Sequence, residues 1–98
     1  MKRDQVIAVL RAHEGELRRR GVAHAALFGS AARGQARADS DLDIMVDIDP
    51  NARVGVWGFA GISRFIGDLF SVPVDVVERA ALIDRVRRTA ERDAVNAF

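Results

Sequence analysis

Two neighbouring stretches decide how this 98-residue chain folds: LFGSAARG at residues 27–34 and SDLDIMVDI at residues 40–48. The first is an apolar run that ends in Gly29-Ser30 and continues into Ala-Ala-Arg, which favours a helical turn. Backbone N–H groups at a helix start point outward and bind phosphate oxygens, and a glycine lets the backbone approach such a ligand closely. The stretch therefore predicts a phosphate-binding turn at Gly29 and Ser30.

The second stretch alternates strictly between two faces. One face carries Leu42, Ile44, Val46 and Ile48, and the other carries Asp41, Asp43, Met45 and Asp47. A period of two predicts a β-strand with one apolar face, so Asp41 and Asp43 project from the same side with Cα atoms about 6.6 Å apart. Adjacent carboxylates repel each other unless a cation lies between them, and their hard oxygen ligands suit Mg²⁺.

A third carboxylate follows from the same argument. In SVPVDVVE at residues 71–78, the valines at 72, 74 and 76 face one way and Asp75 faces the other. If this strand pairs next to the Asp41–Asp43 strand, Asp75 joins the same cluster. Three carboxylates and a phosphate-binding turn predict a two-metal phosphoryl-transfer site, in which two metal ions clamp the attacking and leaving oxygens.

These residues resemble a known family. Gly29-Ser30, a ten-residue gap, Asp41-x-Asp43 and a later Asp75 resemble the signature of the DNA polymerase β-like nucleotidyltransferase superfamily, over roughly residues 24–78. The short length and the residues around Gly29 and Asp41 are most similar to its minimal nucleotidyltransferases. Those are small prokaryotic proteins, often paired with a HEPN-domain toxin in a toxin–antitoxin system. The resemblance implies transfer of AMP from ATP to a hydroxyl of a HEPN-type toxin.

The resemblance also implies roles for single residues. Gly29 and Ser30 would hold the β- and γ-phosphates of ATP, and Asp41 and Asp43 would hold two Mg²⁺ ions. Asp75 would ligate one of these ions and help to deprotonate the acceptor. Arg33 lies one helical turn past Ser30. Its side chain could contact a phosphate or could be solvated, and both interpretations remain open.

Other interpretations of the same residues remain open. Gly-Ser after a strand is usually an ordinary turn, and an exposed Asp-x-Asp is usually a solvated face. Within the family, the chain could be a non-catalytic antitoxin that acts by binding alone. It could also be a small-molecule nucleotidyltransferase of the aminoglycoside type, although one short domain leaves few residues to enclose such an acceptor.

Composition narrows the function class. The length predicts a single domain over residues 1–98. The net charge of +1 gives no indication of nucleic-acid binding, and the absence of cysteine excludes disulfides and thiolate metal sites. No signal segment opens the chain and no apolar run approaches about 18 residues, so we expect a cytoplasmic protein without membrane contact.

The predicted elements alternate between helix and strand. A first helix capped by Asp4 ends at Gly21, strands cover 24–28, 42–48 and 72–77, and helices cover 54–70 and 81–98. Trp57 belongs to an apolar stripe on the second helix and is expected in the core. The order predicts an α/β (α+β) fold of the polymerase β-like type. Its small mixed sheet has three or so strands, with helices packed on one face and the acidic face exposed.

The terminal helix is the expected docking surface for a protein partner. Ile83, Val86, Ala90 and Phe98 form its apolar side, and several arginines lie beside them. Such a face is also compatible with an ordinary solvated helix.

Overall fold

The computed structural model describes residues 1–37 and 39–98. In these two ranges the helices are α1 (Arg3–Ala12), α2 (Glu14–Arg19), α3 (Gly29–Ala32), α4 (Val56–Gly67) and α5 (Asp84–Asp93). The strands are β1 (Val22–Phe28), β2 (Leu42–Ile48), β3 (Val74–Glu78) and β4 (Val95–Asn96), and one 3₁₀ turn spans Arg79–Ala81.

The strands form one mixed sheet in the order β3-β2-β1-β4. Strand β1 is antiparallel to both β2 and β4, whereas β2 and β3 are parallel and are joined through α4. A parallel pair needs a crossover connection, and a helix is its usual form. The α/β fold class with a small mixed sheet is confirmed, with β4 as an additional strand.

One face of the sheet carries most of the core. The inward residues of β2 are fully buried at Leu42, Ile44 and Val46, as the period of two predicted. Helices α1, α2 and α4 cover this face with side chains that include Leu10, Leu17, Ile62 and Ile66. The first helix is interrupted, because His13 leaves helical geometry (φ −108°, ψ 14°), and Lys2 rather than Asp4 is the N-cap of α1.

The prediction that helices pack on one face only was wrong. Ala90 of α5 packs against Met45 and Ala26 on the acidic face of the sheet, and all three are buried. Ion pairs hold the C-terminal half of the helix in place. Arg33 Nη1 lies 2.7 Å from Asp93 Oδ2.

The predicted terminal helix 81–98 was also wrong, because α5 ends at Asp93. The chain then forms β4 along the open edge of β1, and the N–H of Ala97 donates to the carbonyl of Ala25 at 2.8 Å. Arg11 Nε donates to the carbonyl of Ala97 at 2.7 Å. Since Ala90 is buried and Phe98 lies beyond a strand, the expected continuous docking face does not form. Only Ile83 and Val86 remain exposed from it.

The prediction that Trp57 lies in the core as part of an apolar stripe on α4 was wrong. Its side chain is 88% exposed, whereas Ile62 and Ile66 are buried. The buried positions are four residues apart, so they form one face of the helix, and Trp57 lies near the N-terminus outside that face. No helix in residues 1–37 or 39–98 is both long and apolar enough to cross a membrane.

These two positions on α4 give a stability test. We expect Ile62→Ala to lower the free energy of unfolding by about 2–5 kcal/mol, because it leaves a cavity in the core. Trp57→Ala removes a larger side chain from a solvated position and should change it by about 0.5 kcal/mol at most. Urea denaturation followed by circular dichroism measures both. A larger loss for Trp57→Ala would contradict the packing of α4.

Candidate active site

The register of three strands brings the predicted site residues to one end of the sheet. Phe28, the last residue of β1, pairs with Asp43 of β2, and Asp43 pairs with Asp75 of β3. Gly29 follows Phe28 directly, and Asp41 lies one residue before β2 begins. Gly29, Asp43 and Asp75 therefore become neighbours, although 46 positions (75 − 29) separate the first from the last in sequence.

Gly29 makes room for the carboxylate of Asp43. Its φ is +73°, a left-handed conformation that residues with a side chain adopt at a cost. A Cβ atom built at this position would overlap Oδ2 of Asp43 and would lie 3.2 Å from its Cγ. The glycine thus has two physical reasons to be there, one in the backbone and one in the space that Asp43 occupies.

The pKa of Asp43 is shifted by the charges around it and by its burial. Burial raises the pKa of its carboxyl group above the usual range, and the negative charges of Asp75 and Asp41 raise it further. The positive charge of Arg33 lowers the pKa, but it does not outweigh the other causes. The charges of both other predicted acids therefore reach Asp43, and a cation bound among them would relieve their repulsion.

The donor set fits Mg²⁺ shared with a phosphate ligand. In the two described ranges, no three Asp, Glu, His or Cys side chains form a group that could hold a metal ion by themselves. Mg²⁺ rarely uses such an all-protein cage; it is usually bound through one or two carboxylates, water and substrate phosphates. The in-register carboxylates of Asp43 and Asp75, beside the open turn at Gly29, supply donors of this kind.

Ser30 and Arg33 take different positions around the turn. Ser30 is half-buried in the short helix α3, whose first N–H groups have no acceptor within the helix. Arg33 is exposed at the end of α3 and points to α5, where it pairs with Asp93, while its Nε donates to Gln35 Oε1 at 3.0 Å.

The sequence did not reveal a pocket that opens beside Gly29. It has a volume of about 340 Å³ and lies between α3 and α5. Its lining includes Phe28, Gly29, Arg33, Arg85, Val86 and Thr89. No local signal could have indicated it, because it exists only when α5 crosses the acidic face of the sheet.

Comparison with known proteins identifies the family. Residues 10–96 match the family described as the nucleotidyltransferase domain. The chain belongs to this family. The resemblance seen in the sequence is therefore confirmed, and the chain is a nucleotidyltransferase enzyme.

Similar proteins cover nearly the whole chain. The protein adenylyltransferase MntA of Thermococcus cleftensis is 33% identical over 93 residues, which are 94% of this chain and 92% of that protein. A solved structure assigned as a minimal nucleotidyltransferase is 32% identical, with a TM-score of 0.79, over 97% of this chain and 95% of the other. A toxin–antitoxin complex solved with AMP-PNP has a TM-score of 0.69 at 16% identity, over 100% of this chain and 73% of the other. That likeness shows a shared fold.

Two glycines with the same backbone conformation test the turn. Gly29 and Gly34 both have φ +73°, so alanine at either position strains the backbone by about 1–2 kcal/mol. Only at Gly29 does the added methyl group meet Asp43; at Gly34 it meets nothing within 4 Å in the described part of the chain. We expect Gly29→Ala to reduce nucleotidyl transfer at least about tenfold relative to Gly34→Ala. Equal activity of the two variants would contradict the role of the turn.

The raised pKa of Asp43 predicts how stability depends on pH. A carboxyl group whose pKa is raised by folding stabilises the fold when protonated, and this stability is lost as pH rises through the folded-state pKa. At pH 7 with EDTA present, Asp43→Asn should therefore have a higher melting temperature than the native chain. The difference should shrink as pH falls below the ordinary aspartate range. Asp49→Asn, at the other end of β2, is the control; a lower melting temperature for Asp43→Asn at pH 7 would refute the argument.

Proposed function

We propose that this nucleotidyltransferase transfers AMP from ATP to a hydroxyl group of a partner protein and releases pyrophosphate. The observation that carries the proposal is the register that places Gly29 against Asp43 and Asp43 beside Asp75. The similarity to the protein adenylyltransferase MntA supports AMP as the transferred group and a protein as the acceptor.

The turn binds and orients the triphosphate. Backbone N–H groups at Gly29 and Ser30 donate to the β- and γ-phosphates, and the missing side chain at Gly29 lets the carboxylate of Asp43 lie against the turn that binds them. Arg33 lies one turn further, where its positive charge already acts on Asp43. Positioning of this kind contributes a large part of the rate in phosphoryl transfer.

The carboxylates hold the cations and accept the proton. Asp41 and Asp43 would hold two Mg²⁺ ions, with Asp75 as a ligand of one of them. Bound Mg²⁺ would neutralise charge on the phosphates and favour ionisation of the acceptor hydroxyl. Asp75 accepts the proton as the acceptor oxygen bonds to the α-phosphorus. The bond from that phosphorus to the bridging oxygen breaks, and pyrophosphate leaves with the electron pair.

We propose a HEPN-type toxin as the acceptor, modified on a tyrosine hydroxyl. Three observations support a protein acceptor: Asp41 and Asp75 are exposed, Ile83 and Val86 are exposed, and a toxin–antitoxin complex shares the fold. The AMP group adds charge and bulk, which would block the ribonuclease site of the toxin. Because ATP is the substrate, the reaction takes place in the cytoplasm.

Transfer of label from α-³²P-ATP tests the chemistry. We expect the native chain with Mg²⁺ to label a co-purified HEPN-type partner, and Asp41→Asn with Asp43→Asn to lose at least about 100-fold in rate. Asp49→Asn is the matched control, because Asp49 directly follows the far end of β2, about 20 Å along the strand from Asp43. Chelation of Mg²⁺ by EDTA should abolish the labelling.

Three outcomes would overturn the proposal. Unchanged labelling by the double variant would remove the carboxylates from the mechanism. A partner that is neutralised as well by the double variant as by the native chain, with no AMP adduct in its mass spectrum, would show an antitoxin that acts by contact alone. Labelling confined to small hydroxylated molecules would show a different acceptor.

A further inference from the structure

The pocket between α3 and α5 continues from the turn that binds phosphates in the proposed function. Phe28 and Gly29 line this pocket together with Arg33 and Arg85. Any ligand whose phosphates contact the N–H groups at Gly29 therefore has this volume of about 340 Å³ beside it.

The two arginines of the pocket differ in how their charge is balanced. Arg33 is paired with Asp93, which lines the same pocket, at 2.7 Å. Arg85 is exposed and forms no ion pair with any residue in the ranges 1–37 and 39–98. The pocket thus has a net charge of +1 (Arg33 and Arg85 against Asp93), and Arg85 is its uncompensated cation.

Helix α5 presents Arg85 from a fixed position. The buried side chain of Ala90 holds the helix against the sheet, and Arg79 Nη1 lies 3.5 Å from Glu91 Oε2. The hydroxyl of Thr89, which also lines the pocket, donates to the carbonyl of Arg85 at 3.2 Å. Because the helix is anchored at several points, the position of the Arg85 backbone is set before any ligand binds.

The chemistry of the pocket favours a phosphate chain. A guanidinium group matches phosphate oxygens with two parallel hydrogen bonds, and this interaction is stronger where apolar walls exclude water. Phe28, which is half-buried, supplies such a wall. We propose, on the basis of the proposed function, that Arg85 is a positioning residue that binds the pyrophosphate end of the nucleotide and stabilises the leaving pyrophosphate.

This role predicts which ligands depend on Arg85. Pyrophosphate contains only the two phosphates that would reach the pocket, whereas AMP contains only the part that is transferred. Loss of Arg85 should therefore weaken binding of pyrophosphate and leave binding of AMP nearly unchanged. It should also lower kcat, because charge on the leaving group increases in the transition state.

The experiment compares Arg85→Ala, Arg85→Lys and Arg88→Ala. Arg88 is exposed on the same helix and does not line the pocket, so it controls for a general change in charge. Calorimetry measures the binding of magnesium pyrophosphate and of AMP to each chain, and steady-state kinetics measures kcat and KM for ATP. We expect Arg85→Ala to weaken pyrophosphate binding at least about tenfold and AMP binding less than about twofold. Arg85→Lys should recover part of the loss, since it keeps the charge without the planar fork.

Two results would overturn the inference. Equal weakening of pyrophosphate by Arg85→Ala and Arg88→Ala would mean that only net charge matters. Weakening of AMP with unchanged pyrophosphate would place the nucleoside end in the pocket. Since calorimetry needs no turnover, failure of this inference is separate from failure of the proposed function, which shows as a native chain that transfers no AMP.

Discussion

The alignment of Phe28, Asp43 and Asp75 across three hydrogen-bonded strands is the constraint on which the site depends. A shift of one residue between β2 and β3 would move Asp75 to the buried face and Val76 to the site. The same register brings Gly29 against Asp43, so the turn and the carboxylates have one common origin. The buried residues of β2 fix it, because slipping the strand would expose them to water.

The carboxylates of the acidic site repel one another, and the rest of the fold holds them together. The raised pKa of Asp43 shows that the fold keeps this carboxyl group where ionisation is unfavourable. The opposite face of the same strand supplies the compensating stability, since Leu42, Ile44 and Val46 are fully buried there. Alternate residues of β2 therefore belong to the acidic site on one face and to the buried core on the other. The stability gained on the buried face offsets the cost of keeping the carboxylates together.

Helix α5 packs on the second face of the sheet. It contacts Met45 and Ala26, and residues from Arg85 to Asp93 along the helix line the pocket beside Gly29. A pocket thus arises from a helix of ten residues rather than from an additional domain. Such an arrangement suits a transferase whose acceptor is itself folded, since the acceptor can complete the enclosure of the site.

Local pattern determined the parts of this protein that depend on neighbours in sequence. The period of two in β2 and the spacing of Gly29, Asp41 and Asp43 identified the strand, its buried face and the family, because strand geometry and the Gly-Ser turn are set within a few residues. The later Asp75 could be picked as a strand residue, but its pairing with Asp43 had to be assumed.

Tertiary structure alone decided what depends on partners far along the chain. Residues 95–96 form a strand because β1 offers an unpaired edge, although the sequence pattern there is equally compatible with the end of a helix. Trp57 is exposed because the packing of Ile62 and Ile66 sets the rotation of α4. Arg85 lines the pocket beside Gly29 because the burial of Ala90 places its helix on the acidic face. In each case the deciding interaction is non-local, and its free energy is available only after the sheet has formed.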